Sequence, residues 1–351
     1  MFVARWSDEL RCPVGTCVMK STNIVIIGGS GFIGTCLSRN LQRSAAGKFC
    51  IIDKVRSEAF SELSRIADVR SIDAIRAEIA ENSVLINLAA EHRDDVTPRR
   101  LYYDVNVQGA RNICHVASEK NVSTIVFASS VAVYGFAPLG TGESGTISPF
   151  NDYGRSKYEA EEIFKAWQAE SPDERTVVIV RPTVVFGEQN RGNVYNLLRQ
   201  IASGRFVMIG NGENRKSMAY VENVAAFLEY ATTFKSGVHI YNFVDKPDLT
   251  MNTLVQTVNG ILGKAEAVRL RIPFAFGYLI AMCFDLVAAI TGRKFAISAI
   301  RVKKFCANSV YQTAVEKTGF SPPVPLSEAL KRTVRYEFVE SHEREGLFYS
   351  E

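Results

Sequence analysis

A short apolar run, Asn23-Ile-Val-Ile-Ile27, passes directly into Gly28-Gly-Ser-Gly-Phe-Ile-Gly34, and this junction constrains the fold more than any other stretch. An apolar run that ends in glycines reads as a parallel strand buried on both faces. Glycines at 28, 31 and 34 permit a tight turn and a close backbone approach, and a helix opens behind them. The unsatisfied N–H groups at such a helix start favour an anion, here the diphosphate of a dinucleotide. Gly28, Ser30, Gly31, Phe32, Ile33 and Gly34 are the predicted cradle. An ordinary strand-to-helix turn needs neither this glycine spacing nor an acid closing the next strand.

The alternation continues along the chain. Gly34 to Arg43 reads as a helix, Phe49 to Ile52 as a strand closed by Asp53, and Ser83 to Leu88 as another strand. Tyr102 to Glu119 reads as a helix, and Thr124 to Phe127 and Thr176 to Val180 as strands. This rhythm predicts an α/β fold: a Rossmann-type doubly wound parallel sheet with a smaller, mainly helical C-terminal substrate lobe. The 351 residues, 47% of them apolar, suffice for two lobes. The nucleotide domain is expected over 21–186, with 219–246 returning to it. The lobe is expected over 187–218 and 247–351. Residues 1–20 read as a disordered leader without a signal-peptide run, and Met19 is a second candidate start.

Asp53 is placed to accept from the adenosine ribose hydroxyls and to repel a 2′-phosphate, which favours NAD over NADP; Lys54 softens that preference. Asp68 and Val69 are expected near the adenine. The net charge of +4 gives no case for nucleic acid, and the seven scattered cysteines form no metal or disulfide pattern, which fits a reducing cytoplasm.

Tyr153-Gly-Arg-Ser-Lys157 puts a phenol and an ammonium on one face of a helix, where the cation can lower the phenol pKa and make it a base towards an alcohol. Phe127-Ala-Ser-Ser130 ends a strand; Ser130 is the better candidate to bind the same substrate oxygen, with Ser129 beside it.

Together these stretches resemble the extended short-chain dehydrogenase/reductase family of nucleotide-sugar enzymes. The resemblance runs from Asn23 to about Asn223 and includes Asn87-Leu-Ala-Ala90, Asn106-Val-Gln-Gly109 and Arg181-Pro-Thr183. It implies that Ser130, Tyr153 and Lys157 are catalytic. It also implies that Leu88, Ala89, Ala90 and Pro182 lie against the cofactor, that Asn106 supports it, and that Thr183 faces the substrate. In the 4,6-dehydratase branch an Asp-Glu pair follows the serine. Here Val131 and Ala132 stand there and cannot move protons, which disfavours dehydration.

Further stretches, Leu88 to Val96, Asn190 to Asn196, Arg215 to Val221, Tyr241 to Asp248 and Val302 to Ala307, look like the bacterial C4-epimerase branch acting on undecaprenyl-diphospho-N-acetylglucosamine. That implies an NAD-dependent route through a transient 4-keto sugar to the N-acetylgalactosamine form, for O-antigen or related glycans. Tyr153 would take the 4-hydroxyl proton, no metal would be needed, and the family suggests a homodimer. A UDP-sugar 4-epimerase, an NAD-dependent sugar reductase and an NAD-binding regulatory protein are the rivals.

A lipid-linked substrate would need a membrane-side surface and diphosphate donors. Residues 272–291 form an apolar stretch with Pro273, Gly277 and Asp285 in it. It reads either as a peripheral segment on the inner membrane face, flanked by Arg293, Lys294, Arg301, Lys303 and Lys304, or as a buried helix of the lobe. Arg191, Asn193, Arg215, Lys216 and Tyr220 are candidate ligands of the sugar diphosphate, and His92 a candidate neighbour of the sugar.

Overall fold

In β1 (Ile24–Ile27) all four side chains are buried, because successive residues serve two different cores. Val25 and Ile27 pack towards α2 (Ile72–Glu78), α4 (Gly109–Glu119) and α5 (Asp152–Ala169). Ile24 and Ile26 pack towards α1 (Phe32–Ser44) and α7 (Val221–Ala231) on the other face. A strand covered on both sides loses its polar alternation and becomes a continuous apolar run. Each aliphatic side chain so buried contributes about 1.5–3 kcal/mol.

The computed structural model describes residues 23–44, 48–93, 96–268, 270–292, 298–342 and 346–349. The expected leader with Cys12 and Cys17, and the basic pair Arg293 and Lys294, lie outside the described residues. β1 is central in a parallel seven-stranded sheet with β2 (Phe49–Asp53), β3 (Ser64–Ile66), β4 (Val84–Asn87), β5 (Thr124–Ala128), β6 (Thr176–Pro182) and β10 (Gly237–Phe243). The order is β10-β6-β5-β4-β1-β2-β3. Strand order therefore reverses between β1 and β4, which opens a crevice at the strands' C-terminal ends. The predicted doubly wound fold is the observed one. α3 (Arg100–Tyr102) runs through a π-helical turn, Tyr103–Gln108, into α4.

Beyond β6 a second body is built on a third core. β7 (Val184–Phe186), β9 (Arg215–Tyr220) and β11 (Asp245–Thr250) form a small sheet in the order β11-β9-β7. β8 (Met208–Ile209) pairs with β12 (Arg271–Ile272). Helices α6 (Asn193–Ala202), α8 (Met251–Ile261) and α11 (Leu326–Phe338) close this core through Leu198, Val255 and Leu330.

α9 (Phe274–Thr291) follows, and then α10 (Ala299–Cys306), which packs against it. α9 is the one helix among the described residues long and apolar enough to cross a membrane, with mean hydropathy 1.9, yet only 11% of it is buried. That rules out the reading of this stretch as a core helix of the lobe. Gly277 and Ala281 are its buried positions; Gly277 lets it close on Ile209, where a Cβ would sit 2.8 Å from the Ile209 side chain. Asp285 accepts from the Ala299 N–H at 2.9 Å, so the one acid of the helix serves the N-terminus of α10.

Candidate active site

The loop's close contacts require glycine at 28 and at 34. Gly28 has φ +79°, and a Cβ there would lie 2.4 Å from the Ala89 nitrogen, so only glycine lets β1 approach the Leu88–Ala90 loop. A Cβ on Gly34 would lie 2.5 Å from Gly29, which sets how closely α1 packs on the loop. Gly31 meets only the Gly28 carbonyl, at 3.7 Å, and faces the cleft. The first turn of α1 carries no acid, leaving its N–H groups to an anion.

Asp53 ends β2 and accepts from the Ser30 N–H at 3.0 Å and the Val55 N–H at 3.2 Å. The carboxylate thus holds the loop's shape and keeps lone pairs for ribose hydroxyls. The cradle, the bare helix start and this acid fit a dinucleotide. They belong to a cleft of about 1150 Å³ that Lys54, Asp68, Val69, Leu88, Ala89 and Ala90 also line. Asp68 is chelated by the Arg70 guanidinium, which holds its carboxyl below the usual range. Ser30 turns its hydroxyl to the Val55 carbonyl at 2.7 Å.

Ser130, Tyr153 and Lys157 line the same cleft. Ser130 follows β5 and caps a short 3-10 turn, Val131–Tyr134, its Oγ accepting from the Ala132 N–H at 3.1 Å. Asn151 caps α5, accepting from the Gly154 N–H at 2.9 Å, so the helix begins just before Tyr153. A Cβ on Gly154 would lie 2.4 Å from the Ala132 carbonyl oxygen. The glycine between Tyr153 and Arg155 therefore lets the tyrosine's helix close on the serine's turn. Lys157 is 2% exposed; its ammonium donates to the Ala128 carbonyl at 2.6 Å and stands 4.5 Å over the Phe127 ring. Burial pushes its pKa down to about 7, against the opposing pull of Glu161.

Behind these residues lies a buried polar network that the sequence reading missed. Glu161, one turn beyond Lys157, is fully buried and paired with Arg181 at 2.5 Å. Arg181 also donates to the Tyr134 hydroxyl at 2.6 Å, and that hydroxyl donates to Asn242 at 2.8 Å. The available signal was the i, i+4 spacing of Lys157 and Glu161, which puts both on one helix face. The chain's last described segment was missed as well. The Phe348 N–H donates to the Gln189 carbonyl at 3.0 Å, its ring lies 5.8 Å from Phe32, and Tyr349 lines the cleft.

Several predicted ligands are used elsewhere. Ser129 gives its hydroxyl to Glu161 at 2.5 Å rather than to the cleft. Asn106, in the π-turn, bonds the Glu91 backbone and Ser156, supporting the Leu88–Glu91 loop from behind. Arg191 pairs with Glu337 at 2.8 Å and stacks 4.1 Å over Tyr195, off the cleft wall. Tyr220 donates to Glu188 at 3.0 Å, and burial raises its pKa well above the phenol range. Lys216 lines the cleft, but its ammonium donates to the Lys304 and Ala307 carbonyls at the C-terminus of α10, and burial lowers its pKa to about 8. Pro182, Thr183, His92 and Asn193 line the cleft, Thr183 with its hydroxyl turned to the Phe243 carbonyl at 3.4 Å.

Comparison with known proteins agrees with this geometry. Residues 24–243 match the model of the NAD dependent epimerase/dehydratase family. The chain is 46% identical over 333 residues to the N-acetyl-alpha-D-glucosaminyl-diphospho-ditrans,octacis-undecaprenol 4-epimerase of Escherichia coli O157:H7, covering 94% of this chain and 99% of that protein. It is 25% identical to the UDP-glucose 4-epimerase of Vibrio cholerae, over 89% of this chain and 94% of that one. In fold it is similar to the UDP-glucose 4-epimerase of Thermus thermophilus in complex with NAD, at TM-score 0.68, 19% identity and coverage of 90% and 98%. The UDP-N-acetylglucosamine 4-epimerase of Bacillus cereus gives TM-score 0.69 at 18% identity, with the same coverage. The glycine cradle, the parallel sheet and these matches together establish that the chain belongs to the NAD-dependent epimerase/dehydratase family, with NAD as its cofactor.

Proposed function

We propose that the chain is an NAD-dependent 4-epimerase that interconverts N-acetylglucosamine and N-acetylgalactosamine carried on undecaprenyl diphosphate, feeding O-antigen or a related surface polysaccharide. The observation that carries this reading is the 46% identity across 99% of the E. coli protein named for that reaction. The site favours epimerisation over dehydration, because Val131 and Ala132 beside Ser130 cannot move a second proton.

When bound, NAD supplies the acceptor and donor of hydride for the sugar C4. Tyr153 is the proposed base towards the 4-hydroxyl, its phenolate favoured by the Lys157 ammonium one turn along α5. Ser130 orients the same oxygen. The proton that Tyr153 takes is returned by Tyr153, so no side chain ends the turnover changed. Leu88, Ala89, Ala90 and Pro182 are the proposed apolar wall for the cofactor, and His92, Thr183 and Asn193 the residues facing the sugar diphosphate.

The proposed division gives the nucleotide half 21–186 with 219–246 and the substrate lobe 187–218 and 247–351, with β7 at the end of the first stretch crossing into the lobe's small sheet. α9 is the proposed contact with the cytoplasmic face of the membrane, and helices of the nucleotide half the proposed homodimer interface.

The test is to incubate the protein with detergent-dispersed undecaprenyl-diphospho-N-acetylglucosamine and, separately, with UDP-N-acetylglucosamine, then release and identify the sugars. Galacto-configured sugar from the lipid-linked substrate is the expected result. Conversion of the UDP sugar alone would overturn the reading.

A further inference from the structure

Two exposed phenylalanines sit at the lip of the cleft. Phe136 is 55% exposed and Phe150 45%; their rings lie 4.8 Å apart, inclined by 31°, and both line the cleft that holds Ser130 and Tyr153. Exposed aromatic pairs are costly to leave in water and mark contact surfaces.

Their position is tied to the proposed chemistry by the chain itself. Phe136 follows the turn that Ser130 caps, and Phe150 precedes the Asn151 that caps the helix of Tyr153. Tyr153 is three positions beyond Phe150, so their Cα atoms are no more than about 11 Å apart. Gly135, at φ +64°, closes the loop between the two rings; a Cβ there would lie 2.0 Å from the Ser148 oxygen. The shelf is thus held at a fixed place beside the reacting end of the cleft.

Cations lie over these rings, and Lys304 itself lines the cleft. The Lys303 ammonium is 5.7 Å from the Phe136 ring centroid and that of Lys304 is 4.9 Å from Phe150. Both lysines belong to α10, which packs against the exposed apolar α9. Apolar rings with ammonium groups over them match a molecule whose hydrocarbon begins directly at a diphosphate. A uridine could stack on such rings, but reading its base edge would also need directed hydrogen-bond partners, which two phenyl rings lack.

We propose that Phe136 and Phe150 form the subsite for the first isoprene units of the substrate's lipid tail, which leaves the cleft past Lys303 and Lys304 towards α9. This rests on the lipid-linked reading above and extends it to named residues.

The test uses N-acetylglucosamine α-diphosphates with tails from methyl through geranyl to farnesyl. In the wild-type protein KM should fall roughly tenfold or more from methyl to farnesyl, as apolar surface is buried on the shelf. Contacts made equally in the ground and transition states act on KM rather than kcat. In Phe136→Ser/Phe150→Ser the KM ratio between methyl and farnesyl substrates should collapse towards one, and Phe136→Leu/Phe150→Leu should restore most of it. Farnesyl diphosphate should inhibit the wild type more strongly than inorganic diphosphate, and the serine variant should lose that difference. A wild type that prefers farnesyl, with a serine variant that keeps the same ratio, would overturn the shelf and leave the lipid-linked reading standing. A wild type that converts only UDP-N-acetylglucosamine would overturn both.

Discussion

Lys157 meets opposed demands. In the proposed mechanism its ammonium stays charged to favour a Tyr153 phenolate, yet the site buries it against Ala128 and Phe127 and pushes its pKa down to about 7 from 10.5. Between those values the unfolded chain holds the proton and the NAD-free folded chain releases it, so stability rises with pH across that window. The penalty is therefore fully present below pH about 7 and fades towards 10.5. Lys157→Met should raise the melting temperature of NAD-free protein by a few degrees at pH 6, with a gain that shrinks by pH 9, while turnover falls at least about a hundredfold. Tyr153→Phe should lose turnover comparably without that pH-dependent gain. A lower melting temperature for Lys157→Met at both pH values would sink the argument. The spacing of Tyr153 and Lys157 was legible because one helix turn fixes it, and the glycine loop because its spacing between a strand and a helix is a local pattern, although Ala89, which Gly28 meets, is distant in sequence. Arg191, Lys216, Tyr220 and Ser129 were not, since their partners Glu337, the α10 carbonyls, Glu188 and Glu161 come from distant sequence. A surface-type residue looks the same in sequence whether it meets a ligand or another element.

At the scale of elements, α9 sets the problem. Its length and apolarity were legible in residues 272–291, but its exposure was not, because hydropathy does not say what covers a helix. Leu279, Leu286 and Ile290 are 58, 63 and 75% exposed, and Gly277 and Ala281 bury the opposite stripe. An apolar face beside Arg301, Lys303 and Lys304 is suited to lying in an anionic interface, its cations near the headgroups. The protein should float with vesicles containing phosphatidylglycerol, more weakly as salt rises. Leu286→Asp/Ile290→Asp should remain in the aqueous fraction with its melting temperature little changed, because both side chains already face solvent. Equal flotation of wild type and variant would show that α9 is not the contact.

At the scale of the whole molecule, a buried chain of hydrogen bonds ties α5, β6 and β10 to a segment from the C-terminal part of the chain. It starts on α5, at Glu161, and runs through Arg181 on β6 to Tyr134 and Asn242 on β10. Glu143 closes it, accepting from the Asn242 N–H at 3.1 Å and from the Ala314 N–H, in the C-terminal part, at 2.7 Å. The Arg181-Pro-Thr stretch was legible as a family match, but its partners were not, because only the assembled fold brings β6, α5 and β10 together. A buried ion pair need not add net stability, since desolvating both charges offsets their attraction. Breaking it is different, because one charge then remains buried alone. Arg181→Met should cost about 3–5 kcal/mol in denaturant unfolding, and Glu161→Leu/Arg181→Met should recover most of that. If the network also sets how the lobe meets the helix of Tyr153 and Lys157, the double variant will fold yet turn over at least about tenfold more slowly. Wild-type turnover in a stable double variant would reduce the network to a structural pair. Recovered stability with lost turnover would make Glu161 and Arg181 positioning residues for the site.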